Sequence, residues 1–311
     1  LTIIFNLVII IMVLKSKEKN YTDLLFMSMA CADFFIGLIS IPSHLVDIWF
    51  DSRWSLGYSL CMIWLIQDYS SCTVSLVNLV LISLQRLRLI VTPMKASEKM
   101  STSKYIMILL VWPATYIPWG ISILIISASN NLHERCTLIS KFIFVLFANF
   151  FGYVLPSIFI VILNLLTIYF LRKKTKKFPA NNNLTKNAIK SASLNPSSQN
   201  PTTLQTESNS NALSSAKTTT LISTPKINIS KEKKALICLI VIATFVVACF
   251  STFIVVWPLA AYCSSCVSLI VFQVSTMTIY FHSTLNPIIL VIFHEKFRQK
   301  LKEIFNFFIK K

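Results

Sequence analysis

Six stretches of the chain are apolar almost without interruption: residues 24–50, 60–91, 105–128, 142–171, 236–263 and 267–293. Each is long enough for the roughly 20 helical residues that cross the hydrocarbon core of a bilayer. A seventh run, residues 1–14, covers only about 21 Å at 1.5 Å per residue. It has no starting Met, charged leader or small-residue cleavage site, so it reads as the second half of a span and not as a signal peptide. The pattern predicts an all-α membrane protein: a seven-transmembrane helix bundle over residues 1–311 with its first helix truncated.

Two segments depart from that pattern. Residues 173–230 are rich in Ser, Thr, Asn, Gln and Pro. Such a stretch buries too little apolar surface to offset its ordering entropy, which predicts a disordered third cytoplasmic loop between five spans and two. Residues 294–309 alternate basic and apolar positions at helical spacing. With Phe293, Phe297, Leu301 and Ile304 on one face, they predict an amphipathic helix on the inner membrane surface.

Composition narrows the function. The chain is 55% hydrophobic and 13% charged, with only 4 Gly and a formal charge of +17. Of the 29 Lys and Arg, 26 fall in the first, third and fifth connections and the tail, leaving Arg53, Arg135 and Lys141 for the other side. The positive-inside rule makes the first group cytoplasmic: a multi-pass plasma-membrane protein with the long loop and C-terminus inside. The basic residues lie between apolar runs instead of within amphipathic elements, so the bilayer and not nucleic acid is the implied partner. His44, His133, His282 and His294 are scattered along the chain, and there is no phosphate-cradling glycine loop. No catalytic residue is indicated. A cation transporter using Asp33 and Asp68 is the competing class, but the chain lacks repeated halves and Gly-rich broken helices.

Of 8 Cys, Cys31, Cys72, Cys238 and Cys249 lie inside spans as small apolar residues. Cys61, Cys136, Cys263 and Cys266 fall at the outer ends, where disulfides persist. Two bridges are expected, Cys61–Cys136 and Cys263–Cys266. A metal site competes for the second pair, although no nearby His or further Cys completes four ligands.

Seven spans with an outer-loop cysteine opposite the third helix resemble the rhodopsin-like G-protein-coupled receptors. The likeness is carried by Asn6 in "NLVII", Asp33 in "MACADFF" with Pro42 beyond, and "WSLGYSLC" from Trp54 to Cys61. It continues through Arg86 in "LVNLVLISLQRL", Trp112, Pro156 and "STLNP" ending at Asn286-Pro287. Within that family, "DYSSCTVSLVNLVLIS" from Asp68 to Ser83 is similar to muscarinic acetylcholine and histamine receptors.

The resemblance implies three sites. Asp68 would be the counter-ion of a small protonated amine such as acetylcholine or histamine. Tyr69, Cys72, Ala148, Asn149, Gly152, Phe250, Phe253 and Tyr280 would line the same cavity, and the aromatic rings would add cation–π attraction. Asp33, Ser75, Ser283 and Asn286 would hold an allosteric sodium ion, with His282 competing for the carboxylate; no other metal or cofactor is implied. Arg86 would pair with Glu232 and, with Asn286, Pro287 and Leu290, form the switch that opens helix six to a heterotrimeric G protein.

The switch departs from the family pattern. Asp-Arg-Tyr is Gln85-Arg86-Leu87, the tyrosine of Asn-Pro-x-x-Tyr is Leu290, and the proline of Cys-Trp-x-Pro is Thr252. Raised basal activity is the expected consequence. A receptor with weak or constitutive signalling, or one for a peptide or lipid with Asp68 purely structural, is the alternative.

Overall fold

The computed structural model describes residues 1–50, 53–92, 101–129, 136, 142–177, 229–263 and 265–309. Among them the chain is helical, with no strand. We number the helices α1 (Thr2–Leu14), α2 (Tyr21–Trp49), α3 (Gly57–Val91), α4 (Thr102–Ser129), α5 (Phe142–Asn149 continuing through Lys177), α6 (Ile229–Tyr262), α7 (Leu269–Phe293) and α8 (Glu295–Ile309). Helices α2 to α7 are each long and apolar enough to cross a membrane. Most of the expected loop at 173–230 lies outside the described residues.

Local chemistry sets the helix ends. The start of α2 precedes its apolar run because Asn20 and Asp23 close a capping box. Helix α3 begins at Gly57, whose φ of +80° suits a residue without Cβ. Helices α2 and α5 each contain one π-helical turn, Ile36–Ser40 and Phe150–Val154. Pro42 and Pro156 come at the same offset beyond these turns. A proline cannot donate to the carbonyl four residues back and its ring crowds that carbonyl, so the preceding turn widens.

Helix α3 is the centre of the bundle, touching α2, α4, α5 and α6, and the ring closes where α7 meets α1 and α2. Buried side-chain bonds stitch it together. Ser28 of α2 accepts from Asn78 of α3 and Trp112 of α4, each at 3.1 Å. Cys61 is bonded to Cys136 and Cys263 to Cys266. Large apolar side chains such as Ile121, Leu124, Ile125, Phe147 and Phe151 are exposed along α4 and α5, the surface that lipid covers.

Helix α8 docks on the inner end of the bundle through Phe297, which is buried against Phe26 and His294 at ring distances of 5.9 and 5.3 Å. Lys296 pairs with Asp23. Leu301 packs on the same core, whereas Phe293 is exposed and the Ile304 side chain lies outside the described residues.

Candidate functional site

Asp68 lies on α3 about two turns inside Cys61. Its carboxyl faces the hydroxyls of Ser40 on α2 and Tyr280 on α7. Among the described residues no cation reaches ion-pair distance of Asp68. The residue keeps partial exposure. A carboxylate at membrane depth costs several kcal/mol unless it is paired or solvated, so the side chain is poised for a positive partner that the bundle does not supply.

Beside it stands an aromatic wall. Tyr69 stacks on Trp119 at 5.0 Å and meets Trp257 at 5.3 Å. Tyr153 contacts Phe250, Phe253 and Trp257 at 5.5, 5.9 and 6.3 Å, and Phe253 stacks on Trp257 at 5.3 Å. All of these rings are buried. The Trp119 indole is held by donation to the Thr73 hydroxyl at 2.9 Å. Cys72 is buried one turn inside Asp68.

The three expected residues of α5 are placed differently. Ala148 and Gly152 line a separate apolar recess of about 670 Å³ between α3, α4 and α5, together with Trp119 and Thr73. A Cβ on Gly152 would come within 2.8 Å of the Trp119 ring, so glycine is what lets that indole reach Tyr69. Asn149 turns to α6, donating to the main-chain carbonyl of Ile254 at 2.8 Å.

Deeper in the bundle, Asp33 is fully buried. Its Oδ1 accepts from Ser75 at 2.7 Å and its Oδ2 from Asn286 at 3.0 Å. The His282 ring closes the remaining side, with Nε2 at 3.6 Å from Oδ1 and Nδ1 on the carbonyl of Ile279. Ser283 turns its hydroxyl to His282 and its carbonyl to Asn6. Sodium needs several converging oxygens. Here the Ser75 hydroxyl donates to Oδ1, the Asn286 amide donates to Oδ2, and the imidazole of His282 stands 3.6 Å from Oδ1 where a further oxygen ligand would be needed, so these residues do not fit the ion.

At the inner end, Arg86 lies near Cys238 of α6 and His294 beyond α7. The side chain of Glu232, its expected partner, is outside the described residues. Leu290 and Pro287 are buried in the core. Thr252 keeps its N–H, and its hydroxyl bonds back to the Cys249 carbonyl at 3.3 Å, so the proline inside α6 is Pro258, nearer the outer end.

The chain matches the seven-transmembrane receptors of the rhodopsin family over residues 6–290. It belongs to that family. The receptor is therefore a multi-pass membrane protein of the plasma membrane and not an enzyme. It is 34% identical over 180 residues to the 5-hydroxytryptamine receptor 2B of Dichotomyctere fluviatilis, covering 54% of the chain and 38% of the relative. Over 173 residues it is 33% identical to the human 5-hydroxytryptamine receptor 2C, with the same two shares. The chain thus spans about two fifths of the length of the curated relatives it matches.

Several residues of this receptor's outer half had no signal in the sequence. Trp119, Tyr153 and Trp257 read as ordinary members of apolar runs, and His44, Ser40 and Trp64 as isolated polar or aromatic residues. A proline two residues beyond each π turn is the one mark that could have flagged the changed facing of α2 and α5.

Proposed function

We infer that the receptor binds a small protonated amine from the outer side of the membrane, with Asp68 as its counter-ion. The single observation that carries this reading is a carboxylate without a cationic partner among the described residues, about two turns inside Cys61 on α3, beside a wall of buried aromatic rings. Tyr280 offers its ring and phenol to the ammonium group, a cation–π contact being worth about 0.5 to 2 kcal/mol. The relatives named for 5-hydroxytryptamine support an amine, and so does the likeness of the Asp68–Ser83 stretch to receptors for acetylcholine and histamine. Ligand binding is then read out at the inner ends of α3 and α6 by a heterotrimeric G protein, because a ligand that prefers the open form shifts the population towards it.

Weak or constitutive signalling is a second reading, and one feature favours it. Thr252 preserves the hydrogen-bonded helix where the family pattern breaks it, and Gln85 and Leu87 flank Arg86 without an acid. Both readings are tested in cells expressing wild type or Asp68→Ala, exposed to a panel of biogenic amines and assayed for second messenger. An amine response present in wild type and absent in Asp68→Ala supports the amine reading, and an equal response in both removes it. A signal without amine above that of untransfected cells supports constitutive activity.

A further inference from the structure

Asp68 has two flanks, and they differ. The flank towards α5 and α6 is occupied by the protein: Trp257, with no exposed surface, lies against Tyr69, Tyr153 and Phe253. The flank towards α2 and α7 is polar and incomplete. Ser40 and Tyr280 turn their hydroxyls to the Asp68 carboxyl, whereas His44 Nε2 and Trp64 Nε1 are buried atoms without a hydrogen-bond partner. His44 and Trp64 are 3% and 5% exposed, so bulk water does not satisfy these two atoms. Folded proteins leave few such atoms, and two on adjoining rings beside Tyr280 mark a place that a polar guest completes.

The arrangement is held firmly. The π turn Ile36–Ser40 inserts one residue into a helical turn and rotates the outer part of α2 by about 100°, and Ser40 and His44 face inward there. The His44 ring meets Tyr280 edge-on at 5.7 Å and Trp64 at 6.1 Å, and Trp64 is stacked on Trp54 at 5.0 Å. His44 also hydrogen-bonds the main-chain carbonyl of Gln273. A carbonyl only accepts, and Nε2 is the nitrogen without a partner, so Nδ1 carries the proton and the Nε2 of the neutral ring is an acceptor. The Trp64 indole N–H only donates. A hydroxyl is the group that satisfies both at once.

We propose that the amine held by Asp68 extends towards α2 and α7, and that a hydroxyl on it donates to His44 Nε2 and accepts from the Trp64 indole. The ligand class is a small hydroxylated amine. This rests on the amine reading of Asp68, and the experiment separates the two. Equilibrium binding to the purified receptor is measured for two probe pairs that differ by one hydroxyl, 5-hydroxytryptamine with tryptamine and tyramine with phenethylamine. Wild type is expected to bind at least one hydroxylated probe about tenfold or more tighter than its deoxy twin. His44→Phe, which keeps a ring against Tyr280, is expected to reduce that probe to the level of its twin and leave the twin unchanged. Unchanged binding of the twin shows that the variant is folded. No hydroxyl preference in wild type, or the same preference in His44→Phe, overturns the proposal and leaves the polar flank to ordered water. Failure of all four probes to bind, or equal binding of them by Asp68→Asn, overturns the amine reading itself.

Discussion

Asn149 on α5 donates its side-chain amide to the main-chain carbonyl of Ile254 on α6 at 2.8 Å. Ile254 stands four residues before Pro258, so its carbonyl is the acceptor that the proline leaves without a helical donor. The same device recurs at the other side of the bundle. Asn6 on α1 donates at 2.9 Å to the carbonyl of Ser283, four residues before Pro287. In lipid a freed carbonyl has no water to bond, and in both places an asparagine from the neighbouring helix supplies the hydrogen bond.

Removing Asn149 should therefore destabilise the receptor through Pro258. Asn149→Ala is expected to cost about 1 to 3 kcal/mol, the penalty for a buried acceptor left unpaired. Pro258→Ala restores a backbone N–H, so in that background Asn149→Ala should cost little. Thermal unfolding of the two single variants and the double variant in detergent measures the coupling. Additive losses would show that the amide does not serve the freed carbonyl.

His282 packs against Asp33 with Phe250 over its ring at 5.0 Å. Because an imidazole takes the space beside the carboxylate, the melting temperature of wild type should be the same in sodium and potassium chloride at equal ionic strength. His282→Asn replaces that ring with a smaller, oxygen-bearing side chain and should acquire stabilisation specific to sodium. A sodium effect already present in wild type would contradict the placement of His282.

His294, just beyond α7, sits among the rings of Phe26 and Phe297. Burial, reinforced by the positive charge of Arg86, lowers its pKa from 6.5 to about 4. The unfolded chain thus takes up the proton first on acidification. Stability from the neutral ring is complete above pH 6.5 and is lost progressively towards pH 4, by about 3 kcal/mol in all. His294→Phe keeps the ring packing and should flatten the part of the stability profile between those limits. Parallel pH profiles for wild type and variant would refute the assignment.

Much of the architecture was legible in the sequence because spans are set by run length. The six long runs fall within three residues of α2, α3, α4 and α7, while α5 and α6 extend six and seven residues further at their inner ends, and the displaced starts at Tyr21 and Gly57 come from a capping box and a positive-φ glycine that hydropathy does not weigh. Polar partners inside lipid were legible as well, since few alternatives exist: Asp33 does meet Ser75 and Asn286. The facing of individual helices was not legible. A helix that is apolar all round carries no periodic signal for its inward side, and one π turn rotates everything beyond it. Ala148 and Gly152 therefore front the recess beside Trp119, while Ser40 comes to front Asp68 and His44 to meet Tyr280.

The central claim is that Asp68 recognises positive charge. The most direct measurement is equilibrium binding of an amine ligand and its uncharged isostere, with carbon in place of the ammonium nitrogen, to wild type and Asp68→Asn. A buried carboxylate that pairs with the ligand should favour the cation by about 100-fold or more in wild type, near 3 kcal/mol. Asp68→Asn should bind the two alike. An equal preference in both proteins, or none in wild type, would contradict the account.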